Sequence, residues 1–126
     1  QLSFTFVWID SHRKEMEYAI GGMYSTLLSV GGEIVRLKSN NPPLLSFDDE
    51  VYTDKIDIDG FEAILSYTDG LVETHEGGAS KYAPTKIVND EKVFEECIKN
   101  LYEYELEDDV TLIRVTKRLL PLNLPK

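Results

Sequence analysis

Up to residue 69 the sequence is a succession of short apolar runs, rich in β-branched and aromatic residues, each cut off by glycine, asparagine or proline. Runs so short and so branched sit better on a pleated surface than on a helix, so the first half has to fold as β-sheet. "LSFTFVWID" (2–10) reads as a strand with both faces partly covered, which makes Trp8 and the tyrosines at strand spacing core residues. "SHRK" is a polar turn, and "EMEYAIG" (15–21) alternates like an antiparallel partner. Gly21-Gly22 and Gly31-Gly32 separate "YSTLLSV" and "EIVRLK", and such pairs suit the positive φ of hairpin turns. Residues 2–38 are therefore expected to form a four-stranded meander. "SNNPPLLSFDDE" is a loop, since proline cannot donate to a ladder. "VYTDKIDID" (51–59) and "FEAILSYTD" (61–69) are expected to pair as a hairpin across Gly60. "GLVETHEGGASKYAP" reads as a mobile surface segment with Gly77-Gly78 at its tip.

Then the period changes. "DEKVFEECIKNLYEYE" puts Val93, Phe94, Cys97, Leu101 and Tyr104 on one stripe, widened by Ile98, which predicts an amphipathic helix capped by Asn89 or Asp90. "DDVTLIRVTKR" (108–118) is a last strand, and residues 119–126 form a short apolar tail. The 126 residues suffice for one domain only. The single cysteine, Cys97, rules out an internal disulfide and suits a reducing, cytoplasmic setting. Thirteen basic against twenty-three acidic residues give a net charge of −10, which disfavours nucleic acid and anionic lipid. No apolar run is long enough to span a membrane. The opening residues lack a signal-peptide layout and an initiator methionine, so the sequence reads as cut from a longer polypeptide.

Two places share a design, an apolar strand with carboxylate at its terminus. One is Tyr67-Thr68-Asp69-Gly70, at a strand exit; the other is Glu107-Asp108-Asp109-Val110-Thr111, at a strand entrance. If the two strands are antiparallel neighbours, Asp69 and Asp108 meet at one edge of the sheet. Carboxylates held that close repel unless a proton or a cation lies between them, and magnesium or manganese is the hard cation that oxygen donors favour. The plainer alternative is that Asp-Gly closes a turn and Asp-Asp is a solvated cap. His12, in a polar turn, and His75, in an acidic loop, read as surface histidines. Ser66 and Thr111 have no His-Asp partner, which disfavours serine-hydrolase chemistry.

"ILSYTDGLVE", followed some forty residues later by "DDVTLIRV", resembles the C-terminal half of the metal-dependent protein phosphatases, the PPM family, in its bacterial stage II sporulation (SpoIIE-like) branch. The upstream order of "FTFVWID", "MEYAIGG", "TLLSVGGEIVRL" and the Pro-Pro-Leu loop also fits, so the resemblance covers residues 2–117. It implies an α+β fold, the β-rich part of an αββα sandwich with antiparallel sheets, incomplete in this chain. Residues 1–118 would be the C-terminal portion of the phosphatase domain and 119–126 a tail. It further implies a centre of two Mg or Mn ions, with Asp69 and Asp108 as metal ligands. Asp109 would hydrogen-bond around that centre, and Glu73 would help to hold a third, weaker ion. The implied activity is hydrolysis of phosphoserine or phosphothreonine by a metal-activated water, on a phosphorylated regulatory protein in bacterial signalling.

The family's first metal motif, an early Asp-Gly, has no counterpart here. Asp10 matches no ligand, and Gly22-Met23-Tyr24 stands where many relatives have Gly-His and prolines. Half a metal site is therefore expected, with negligible turnover by these residues alone. The alternative reading is a catalytically dead, phosphatase-like interaction module, and a blander one is an acidic β-rich domain with no site. A half-sandwich leaves an apolar sheet face uncovered, so a homo-oligomer through that face is expected.

Overall fold

The computed structural model describes residues 2–22, 25–46, 49–73, 75–76, 79–80, 83–102 and 109–117. Strands β1 (Phe4–Asp10) and β2 (Glu15–Gly21) form the expected antiparallel hairpin, in register from Phe4 against Gly21 to Asp10 against Glu15. Its turn is built by Asp10, whose Oδ1 accepts the backbone N–H groups of Arg13 (3.1 Å) and His12 (3.0 Å). Those bonds, led by the one from Arg13, hold the Asp10 carboxyl below its usual range.

The expected meander stops there. β3 (Ser25–Val30) and β4 (Glu33–Leu37) pair with each other across Gly31-Gly32, but β3 does not pair with β2. The pair Gly21-Gly22 is a crossing between two sheets. Gly22 has φ +94, and a Cβ on it would run into the Ser3 side chain, so glycine is required for passage rather than for a tight turn. The expected hairpin across Gly60 is likewise not formed. β5 (Asp54–Asp57) pairs with β2, whereas β6 (Phe61–Tyr67) pairs with β3. The result is a three-stranded sheet in the order β1-β2-β5 and a four-stranded sheet in the order β4-β3-β6-β9, with β9 at Leu112–Thr116. All these pairings are antiparallel.

Alternation along each strand builds two cores. Met16, Ile20, Leu28, Leu37, Ile58 and Ile64 are buried between the sheets. Leu27, Leu65 and Tyr67, on the opposite face of the larger sheet, pack with Ile87, Val88 and Cys97. That second core belongs to helices α2 (Pro84–Asn89) and α3 (Glu91–Leu101), which follow the short α1 (Asp69–Glu73) and the two-residue strands β7 (His75–Glu76) and β8 (Ala79–Ser80). α3 is the expected helix, and Asp90 is its cap, accepting from Lys92 N (2.9 Å) and Val93 N (3.4 Å). Asn89, the other candidate, instead accepts the Ser29 hydroxyl at 2.8 Å and ties α2 to β3. α2 was not expected; it holds too few residues to show a helical period, and Pro84 starts it where no N–H is needed. Arg114 on β9 donates from Nε (3.3 Å) and Nη2 (3.2 Å) to the Val88 carbonyl at the end of α2, and lies 5.8 Å over the Phe94 ring. Cys97 is the core thiol expected, pushed up to about 11 by burial.

The layers thus run sheet, sheet, helices. The outer face of the smaller sheet is covered at its Phe4 and Ala19 end, where the Pro42 backbone lies against Gly21, and open at the Trp8 end. Trp8, expected in the core, points outward on β1 and is 69% exposed, with Phe6 beside it at 50%. The loop after β4 is irregular as expected, yet tied down: Asn40 Oδ1 accepts Ile20 N (2.8 Å), and Asn41 exchanges bonds with the Tyr52 backbone (2.7 and 2.8 Å).

Candidate metal centre at the shared rim

β6 and β9 are antiparallel neighbours whose last pair is Tyr67 with Leu112, so the exit of one and the entrance of the other share an edge. The contact continues beyond the ladder. Thr68 N donates to the Thr111 carbonyl (3.1 Å), Thr111 N donates to Thr68 Oγ1 (2.9 Å), and that hydroxyl donates onward to the Asp109 carbonyl (3.5 Å). Thr68 thus uses its side chain to carry pairing past the point where the backbone leaves the sheet. In the sequence Thr111 stands out only as a nucleophile without partners, and Thr68 does not stand out. The available signal was a threonine beside the acidic residues in both motifs.

Asp69 does not close a two-residue turn. It is the first residue of α1, half-buried, and the turn behind it is fastened by Leu71 N donating to the Thr68 carbonyl at 3.1 Å. Leu71 is fully buried in the helix-side core and fixes the direction of the helix. Gly70 explains the Asp-Gly pair. It is packed directly on the Asp109 backbone, where an added Cβ would overlap the Asp109 carbonyl and press on Val110 Cγ2 at 3.2 Å. Only a bare α-carbon lets the two segments approach so closely.

Asp69 and the exposed Asp109 therefore belong to adjoining segments at one rim. Asp108, the other expected ligand, lies outside the described residues. Glu73 is the last residue of α1. Among the described residues no group of three or more His, Cys, Asp or Glu side chains is assembled. His12 is exposed in the β1–β2 turn, and His75 pairs with Ser80 in the small β7–β8 ladder. Asp10 stands at the other end of β1 from Phe4, the residue that shares a groove with Thr68 and Thr111. The donor chemistry fits a hard cation, because among the described residues the rim offers carboxylate and carbonyl oxygen. No helix among the described residues is long and apolar enough to cross a membrane.

Two stacked antiparallel sheets with helices outside one of them make up part of an αββα sandwich. The family model described as Stage II sporulation protein E (SpoIIE) matches residues 2–118, and the chain belongs to that family. Solved structures show the same α+β fold. The SiaA PP2C domain of Pseudomonas aeruginosa superposes with a TM-score of 0.67 at 20% identity, over 92% of this chain and 52% of that one. The phosphatase domain of the cell-fate determinant SpoIIE from Bacillus subtilis, presoaked with Mn, gives 0.55 at 17% identity, over 98% and 60%. The chain therefore spans between half and two thirds of the length of these solved domains. No curated protein matches it.

Proposed function

We propose that residues 1–118 are the C-terminal portion of a metal-dependent phosphatase domain acting on phosphoserine or phosphothreonine. The observation that supports this reading is the Thr68–Thr111 lock with Gly70 seated on the Asp109 backbone, which sets the segments of Asp69 and Asp109 side by side. In this reading Asp69 and Asp108 hold Mg or Mn, Asp109 orients the site through hydrogen bonds, and Glu73 helps to hold a further, weaker ion. When bound, the ions lower the pKa of a water and neutralise charge developing on the phosphoryl oxygens. The residues of this chain contribute position: α1 aims Asp69 from one side, and the β9 entrance brings its acids from the other. The substrate class is a phosphorylated regulatory protein in the bacterial cytoplasm. Membership of the SpoIIE family supports this, as does the likeness to the SiaA and SpoIIE domains.

These residues alone are proposed to turn over negligibly, because they supply only part of a dinuclear site. A second reading, a phosphatase-like interaction module without catalysis, draws on the absence of a three-carboxylate cluster among the described residues. The two separate in one assay, Mn-dependent phosphate release from a phosphoserine protein by the polypeptide that carries these residues. The enzyme reading expects release that falls to background in Asp69→Asn and in Asp108→Asn. Turnover that survives either substitution removes that residue from the ligand set, and no release at all from the unsubstituted polypeptide favours the module.

A further inference from the structure

The β6–β9 ladder ends at Tyr67 and Leu112. Thr68 and Thr111, next in line, would close one more antiparallel pair if each gave its N–H to the other's carbonyl. Half of that exchange is made as usual, with Thr68 N donating to the Thr111 carbonyl at 3.1 Å. The other half is rerouted, because the Thr68 carbonyl accepts Leu71 N, also at 3.1 Å, to start α1. Thr111 N donates instead to Thr68 Oγ1 at 2.9 Å. The hydroxyl stands in for the carbonyl that α1 has drawn away. Its own proton goes to the Asp109 carbonyl at 3.5 Å.

One side chain therefore lets the chain leave the sheet at Asp69 while the opposite segment stays aligned as far as Asp109. Position 68 has to offer a donor and an acceptor on one atom next to Cβ, which the hydroxyls of serine and threonine do. The β-branch of threonine also restricts the rotation of that hydroxyl. Thr111 and Asp109 are exposed, so water could satisfy the same amide and carbonyl if the hydroxyl were gone. Water would not tie the two segments to each other. The side chain is thus needed for alignment at the rim more than for the fold.

We propose that Thr68 is a positioning residue of the rim, whose hydroxyl sets the spacing between Asp69 and the acids that precede β9 and thereby the affinity for a divalent cation. The proposal rests on the reading of this rim as a metal centre. Thr68 itself contacts no cation in it. It acts through its neighbours, being joined to Asp69 in the chain and holding the backbone of Asp109, the residue joined to Asp108. Hydrogen-bonding partners that orient metal ligands are worth about 10–100-fold in metal affinity, and an effect of that size is expected here.

Calorimetric titration of the chain with Mn, with a denaturation midpoint for each protein, tests this. Thr68→Val keeps the size and the β-branch but removes the hydroxyl. It should bind Mn about 10–100-fold more weakly with an unchanged far-ultraviolet spectrum. Thr68→Ser restores the hydroxyl and should bind like the unsubstituted chain. Thr26→Val breaks another hydroxyl pair of the same sheet, buried Thr26 with Ser66 at 2.9 Å, away from the rim. It should lower the midpoint and leave Mn binding unchanged. If Asp69→Asn weakens binding but Thr68→Val does not, the positioning role is overturned and the metal reading stands. No binding by the unsubstituted chain, or equal binding by Asp69→Asn, brings down the metal reading and the positioning role with it. Serine as weak as valine, Thr26→Val as weak as Thr68→Val, or loss of the native spectrum in Thr68→Val each overturns the role as well. The hydroxyl would then be dispensable, or would hold the sheet rather than the rim.

Discussion

Gly70 is packed against the main chain of Asp109, so closely that no side chain fits between them. This contact joins the start of α1 to the segment entering β9 and holds Asp69 and Asp109 at one rim. Elsewhere in a helix, alanine in place of glycine stabilises by about 1 kcal/mol. Here the overlap is with backbone that hydrogen bonds hold in place, and overpacking of that kind costs about 1–3 kcal/mol. Gly70→Ala should therefore lower stability, read as a reduced denaturation midpoint.

Arg114 holds α2 and α3 onto the larger sheet. Its guanidinium bonds the Val88 carbonyl and lies over Phe94. Arg114→Met keeps much of the apolar stem but leaves that carbonyl without its donor. A charged hydrogen bond and a partly buried cation–π contact together suggest a loss of about 2 kcal/mol. Chemical denaturation of the two proteins measures it.

Cys97 gives a pH dependence of known sign. Its folded-state pKa is raised to about 11 by burial, so between the ordinary thiol range and pH 11 the folded chain keeps a proton that the unfolded chain has released. Stability contributed by this group is complete below the unfolded pKa and is lost as pH rises through the folded one. The expected slope approaches a loss of about 1.4 kcal/mol per pH unit. Cys97→Ala should flatten that part of the profile. In the unsubstituted chain, reaction with a thiol reagent at pH 8 should follow unfolding.

Strand by strand, much of the fold was legible. Short β-branched runs gave the strands, the change of period at Asp90 gave α3, and Cys97 fell on its buried stripe. Connectivity was not legible, because glycine pairs carry no label for what they do. Gly31-Gly32 turns a hairpin, while Gly21-Gly22 lets the chain pass Ser3 into another sheet. Trp8 misled because alternation reveals two faces without telling which one is covered. The convergence of the acidic motifs could be stated only as a conditional on strand pairing. The β6–β9 ladder meets that condition, and the two threonines extend it.

The central claim is that this rim holds a divalent cation between Asp69 and the acids that precede β9. Calorimetric titration of the chain with Mn tests it directly, alongside Asp69→Asn and Asp108→Asn. The account predicts saturable binding that weakens at least about tenfold when either carboxylate is neutralised, as loss of a hard oxygen donor requires. No measurable binding, or binding of equal strength in all three proteins, would contradict it.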